Sequence, residues 1–122
     1  MGRFQSTQRT PCLDDLVKAY KGRFCVNEWI HLPGFRSAYV RVCKRYIQGQ
    51  YMDVIDLANL AAISPGKGAF KGIVKHIQTT YPAFVVHVES VLSSQFQEGL
   101  LRMGFQNTGF PNNFYLPKES KE

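Results

Sequence analysis

Apolar positions along the chain fall into a readable alternation of periods. Leu13, Leu16, Val17 and Tyr20 recur at i, i+3, i+4 and i+7, which predicts a helix with one apolar face. Asp14 and Asp15 fall in its first turn, where the helix dipole favours acids, and Gly22 ends it. Residues 24–32 read as a short strand closed by the Pro33-Gly34 turn signal. Residues 38–47 read as a strand with Val40 and Val42 on one face and Arg41 and Arg45 on the other. Gln48-Gly49-Gln50 makes a short turn, and residues 51–63 return as a longer strand, so the pair predicts an antiparallel hairpin.

After Ile63 the pattern changes. Residues 64–69 are a Gly- and Pro-containing loop, and Phe70, Ile73, Val74 and Ile77 predict a helix running to about Thr79, broken by Tyr81-Pro82. Residues 83–91 are apolar on both faces, as in strands buried on both sides within a parallel pair. Ser94 with Gln97 suggests a capping box, and Leu92, Phe96, Leu100 and Met103 a helix face ended by Gly104. Residues 105–108 and 113–116 read as two short closing strands. The order α, β, hairpin, α, β, α, β, β is that of an α/β domain with a mixed sheet, its middle helix closing a right-handed βαβ unit.

At 122 residues with 44% hydrophobic side chains, one domain with a genuine core is expected, flanked by flexible tails at 1–11 and 118–122. The formal charge of +6 is unevenly placed. Residues 1–15 and 53–122 each sum to zero, whereas residues 16–52 hold seven basic side chains against Glu28 alone. No apolar run is long enough to span a membrane. The polar opening segment argues against a leader, so a cytoplasmic protein is expected. Cys12, Cys25 and Cys43 fit no zinc spacing, and reduced thiols acting as small hydrophobes are expected, with no metal site.

Three segments carry candidate chemistry. Gly66, Lys67, Gly68 and Ala69 precede a helix N-terminus, so glycine-aimed amides, the helix dipole and Lys67 and Lys71 together suit a pyrophosphate. The loop is neither a Walker A motif nor a dinucleotide fingerprint, and a plain strand-to-helix turn explains it equally well. Glu89 closes an apolar strand, where a carboxylate serves either as a general base or as half of a structural ion pair. His87 shares its face, so a proton-transferring His–Glu pair stands against an ordinary core histidine. Finally, Arg41, Lys44 and Arg45 alternate with Tyr39 and Tyr46, which reads as a nucleic-acid surface or a solvated strand face.

Residues 38–117 resemble the GNAT superfamily of N-acetyltransferases. The resemblance lies in Asp56-Leu57-Ala58-Asn59-Leu60-Ala61-Ala62-Ile63, the loop Pro65-Gly66-Lys67-Gly68-Ala69-Phe70, Val86-His87-Val88-Glu89-Ser90-Val91-Leu92, and Gly99-Leu100-Leu101-Arg102-Met103-Gly104-Phe105 with Asn113-Phe114-Tyr115-Leu116 behind it. More narrowly, the chain is similar to compact GNAT-like proteins of bacteriophages, which would put it in the cytoplasm of a bacterial host. The resemblance implies a splayed parallel strand pair flanked by helices, with acetyl-CoA in the gap. Backbone at Asn59, Leu60 and Ala61 would pair with the pantetheine arm, and amides of Gly66, Lys67, Gly68, Ala69 and Phe70 would hold the pyrophosphate. It implies acetyl transfer to an amine, with Glu89, then Asp56, as the general base. Arg41 and Arg45 would face the acceptor, an acidic protein or a small-molecule amine. The loop departs from the family's [RQ]xxGx[GA] signature at Pro65 and Phe70, and Leu100 stands where the family's frequent tyrosine acid would be. Those departures motivate an alternative, a GNAT-fold binding protein without catalysis that engages a host factor; nucleic-acid binding by the hairpin is the third reading.

Overall fold

Two thirteen-residue strands dominate the architecture. The computed structural model describes residues 10–22 and 24–118; Arg23 and most of both expected tails lie outside the described residues. The elements are α1 (Leu13–Ala19), β1 (Val26–Ile30), β2 (Phe35–Ile47), β3 (Gln50–Ala62), α2 (Ala69–Thr80), β4 (Val85–Val88), α3 (Ser94–Arg102), β5 (Gln106–Asn107) and β6 (Phe114–Leu116). One mixed sheet holds all six strands in the order β1-β2-β3-β4-β6-β5. Its single parallel pair is β3 with β4, joined through α2.

The element order follows the periodicity, and the boundaries shift for identifiable reasons. Gln48 and Gly49 both take positive φ (53° and 83°), giving the two-residue turn whose twist matches a hairpin. β4 is four residues rather than nine, because the chain turns out of the sheet after Val88 and Ser90 takes φ 57°. The α3 N-cap is Ser93, one residue before the expected Ser94; its hydroxyl accepts from the Phe96 amide. Gln97 instead ties the chain behind β4, its amide donating to the Val91 carbonyl and to Asn112 Oδ1. Leu92 consequently stands outside the helix and exposed. Pro11 is not part of a free tail, since its carbonyl accepts from the His31 amide at 2.8 Å.

All three helices pack against the same face of the sheet. Leu13 and Leu16 of α1, Ile73, Val74 and Ile77 of α2 and Leu100 of α3 join Val40, Val42, Ile55, Val86 and Val88 in one core. The opposite face is covered differently. Gln48 at the tip of the β2–β3 hairpin donates to the Asn107 carbonyl of β5, at the far edge of the sheet. That bond requires the long hairpin to curl across the sheet, as a strongly twisted two-stranded ribbon does. Beneath the curl lies a second, smaller core of Cys43, Ile47, Val54, Val85 and Tyr115. Burial pushes the Cys43 thiol up to about 11, with the neighbouring Cys25 adding to the shift, so this cysteine is an inert hydrophobe at neutral pH.

Ile77 is fully buried between α2 and the sheet. Ile77→Ala is expected to lower unfolding free energy by about 2–5 kcal/mol, while Leu92→Ala stays within about 0.5 kcal/mol. Urea denaturation followed by circular dichroism checks both.

Candidate active site

The site forms where β3 and β4 part. Their pairing runs only through Val54↔Val85, Ile55↔Val86 and Asp56↔His87. β3 continues to Ala62 with β2 as its sole strand partner. Between Tyr39↔Asn59 and Val40↔Leu57 the register skips Ala58, a bulge in β3 two residues beyond the last β4 pair. An extra residue bends and twists its strand, which accounts for the divergence at this point. The free edge of Leu57–Ala62 and the segment after β4 bound a cleft of about 360 Å³, lined by Leu57, Ala58, Asn59, Leu60, Phe70, Glu89, Ser90 and Phe96 among others. Of the expected cofactor residues, Asn59, Leu60 and Phe70 therefore line one cleft.

The glycine loop sits at the end of the bulged strand. Gly66 and Gly68 take φ +84° and +88°, and no atom lies within 4 Å of where a β-carbon would stand on either. The glycines are needed for backbone conformation, and the space above them is open. Gly68 caps α2 without a side-chain acceptor, and the first bond across the helix start is Gly72 N–H to the Gly68 carbonyl at 2.9 Å. Among the described residues, the amides of Ala69, Phe70 and Lys71 thus have no backbone acceptor. Phe70 packs edge-on against Phe96 of α3, with centroids 5.2 Å apart, and so sets the wall of the cleft.

At the vertex lies a charged network on the curled face. Asp56 is fully buried and accepts from Arg41 Nη1 (3.1 Å), Arg45 Nη2 (2.8 Å) and His87 Nδ1 (3.0 Å). Glu89 accepts from the same two guanidinium groups, at 2.8 Å from Arg41 and 2.9 Å from Arg45. Burial drives the Asp56 carboxyl up, but the His87 hydrogen bond and the adjacent Arg45 charge outweigh it and hold the group below its ordinary range. The hydrogen bond it donates to Glu89 raises Arg41 further, against desolvation. Asp56, His87 and Glu89 bring ligand-type atoms within 4.8 Å of one another. Two guanidiniums already fill the cationic positions between the carboxylates, so the donor set is spent on arginine rather than on a metal ion.

Placement changes the meaning of several sequence-predicted residues. Arg41 and Arg45, expected to face an acceptor or partner, turn inward to Asp56 and Glu89. Lys44 pairs with Asp53 and Lys18 with Asp14. The concentrated charge of residues 16–52 is thereby largely cancelled by acids from elsewhere. Lys67, Lys71 and Lys75, spaced four apart through the loop and α2, are exposed and make no ion pair among the described residues. Positive charge free to meet a ligand lies beside the glycine loop, as it also does at exposed Lys21, Arg36 and Arg102. Leu100, where the GNAT resemblance would put a tyrosine acid, is wholly inside the core and offers no proton.

His87 gains most from the structure. Its place two residues from Glu89 was visible in sequence; its bond to buried Asp56 depends on strand register. No family model matches the chain, and no curated protein matches it. No helix among the described residues is long and apolar enough to cross a membrane.

Asp56→Asn removes the carboxylate shared by two arginines and is expected to cost about 3 kcal/mol, the low end for a broken buried pair because both guanidiniums keep some solvent contact. With its folded-state pKa depressed, Asp56 contributes stability that is fully present above the unfolded value near 3.9 and is lost as pH falls through the folded value. Wild-type stability should therefore fall on acidification below about pH 4 more steeply than that of Asp56→Asn. Urea midpoints measured across that range test the sign.

Proposed function

We propose that the chain is a GNAT-like N-acetyltransferase that binds acetyl-CoA in the cleft between β3 and β4 and passes the acetyl group to an amine. One observation carries the reading: a strand edge left open by the Ala58 bulge leads directly to an uncapped, glycine-opened helix N-terminus flanked by free lysines.

The residues fit such a cofactor in three respects. The backbone of Asn59, Leu60 and Ala61 lacks a strand partner on the cleft side, so an extended amide-bearing arm adds to β3 as a further strand. Amides of Ala69, Phe70 and Lys71, with the open space over Gly66 and Gly68, suit a pyrophosphate at a helix start. Lys67 and Lys71 add charge without having to break an existing ion pair. Acetyl-CoA, when bound, supplies an acyl carbon activated as a thioester. Glu89 lines the cleft with both oxygens held by arginines, which makes it an anchor of the vertex rather than a base free to take a proton. The same pairing weighs against nucleic-acid binding by the hairpin, because Arg41 and Arg45 would have to abandon a buried carboxylate to reach a phosphate.

Calorimetric titration with acetyl-CoA is expected to give a Kd tighter than about 1 mM, or ~4 kcal/mol of binding free energy. Gly68→Glu puts a carboxylate and an unfavourable φ at the anion site and should weaken binding roughly tenfold or more. No heat of binding at millimolar acetyl-CoA rejects the cofactor reading; binding unaffected by Gly68→Glu rejects the loop's part in it.

A further inference from the structure

A second hollow, of about 280 Å³, opens on the curled face between the β2 end of the hairpin and the loop joining β5 to β6. Lys44, Arg45, Ile47, His87, Thr108 and Asn113 are among its walls. His87 is the one imidazole there, and it is almost fully buried. Asp56 stays ionised and can only accept, so Nδ1 of the ring carries a proton in this hydrogen bond. No side chain or backbone group among the described residues bonds to the second nitrogen, Nε2. A buried histidine oriented by a buried carboxylate, with its other nitrogen free, is arranged as a general base.

Its position is equally specific. Asp56↔His87 is the last pair before the strands part, and the next residues along each strand, Leu57 and Val88, already line the cofactor cleft. Glu89 lines the cleft and shares Arg45 with Asp56, while Arg45 and His87 both line the hollow. The hollow and the cleft thus approach the same vertex from its two sides.

We propose that His87 is the catalytic base and that this hollow receives the acceptor, a small primary amine of about amino-acid size. The proposal rests on the acetyl-CoA reading of the cleft. Lys44 and Arg45 of the wall are already paired, with Asp53 and with Asp56 and Glu89, so the hollow sets its acceptor by size and by the imidazole rather than by charge. His87 Nε2 takes one ammonium proton. The freed nitrogen lone pair attacks the thioester carbonyl carbon; the C–N bond forms and the C–S bond breaks. The proton on His87 passes to the leaving thiolate, and the second nitrogen proton goes to water. Ammonium and thioester become amide, thiol and one released proton, and the ring returns to its starting state.

His87→Gln keeps a polar side chain and leaves the cleft lining untouched. Three measurements test the idea on the full chain. Long-range ¹H–¹⁵N spectra of the wild type should show His87 as the Nδ1–H tautomer, with its Nε2 signal shifting when an amino acid is added. Thiol release from acetyl-CoA is to be followed with the proteinogenic amino acids and matched uncharged monoamines such as n-propylamine. Transfer to the amines that the wild type accepts should fall at least about 100-fold in His87→Gln, with the acidic limb of the wild-type pH–rate profile abolished. Calorimetric acetyl-CoA affinity should stay within about twofold of wild type. An Nε2–H tautomer, transfer retained within threefold in His87→Gln, or cofactor binding without transfer to any of these amines overturns the proposal. A wild type that fails to bind acetyl-CoA overturns the cofactor reading and this proposal with it, which separates the two failures.

Discussion

A buried carboxylate with three donors governs the middle of this molecule. Asp56 sits without solvent contact at the vertex of the diverging strands, and its ionised form survives there because Arg41, Arg45 and His87 all point at it. Each partner comes from a neighbouring strand: the arginines from β2, the histidine from β4. The network therefore fastens three strands to one another on the face that no helix covers. It also fixes two orientations with chemical consequences. Glu89 is held at the cleft by the same arginines, and His87 is held with Nδ1 against Asp56.

That arrangement lets the Ala58 bulge open the sheet without unravelling it. Past Asp56↔His87, β3 keeps its bonds to β2, while β4 ends. The segment behind β4 is anchored from another direction: Ser90 N–H donates to Asn113 Oδ1, Val91 N–H to the Asn112 carbonyl, and Gln97 reaches back from α3. Ser90 in the left-handed region is a modest local strain of the kind found beside functional clefts. The cleft is thus a feature with supports on both banks.

Charge follows the same logic. A tally along the chain places the whole excess in residues 16–52, and the fold moves it. Long-range pairing absorbs Arg41, Arg45 and Lys44, leaving Lys67, Lys71 and Lys75 as cations without an ion pair beside the glycine loop. A linear charge count records composition, whereas a ligand meets only charge that the fold has left uncompensated.

Much was legible before any coordinates. Hydrophobic periods and turn signals together anticipated the nine elements of the described residues, because burial dictates local period wherever one face is covered. The glycine turn at 48–49, the loop at 65–68 and the doubly buried β4 were likewise local in origin. Other features rest on contacts distant in sequence. Arg41 reads as a solvated strand residue until Glu89, 48 positions away, closes on it. His87 reads as a core histidine until the parallel register sets it opposite Asp56. Ala58 reads as one more small residue until the β2 ladder skips it. The sequence by itself determined which segments are strands and helices and which face of each is apolar. Tertiary structure alone decided which charges cancel, where the sheet opens and which histidine nitrogen is free, since each depends on pairing register, and register is a relation between segments that neither carries alone.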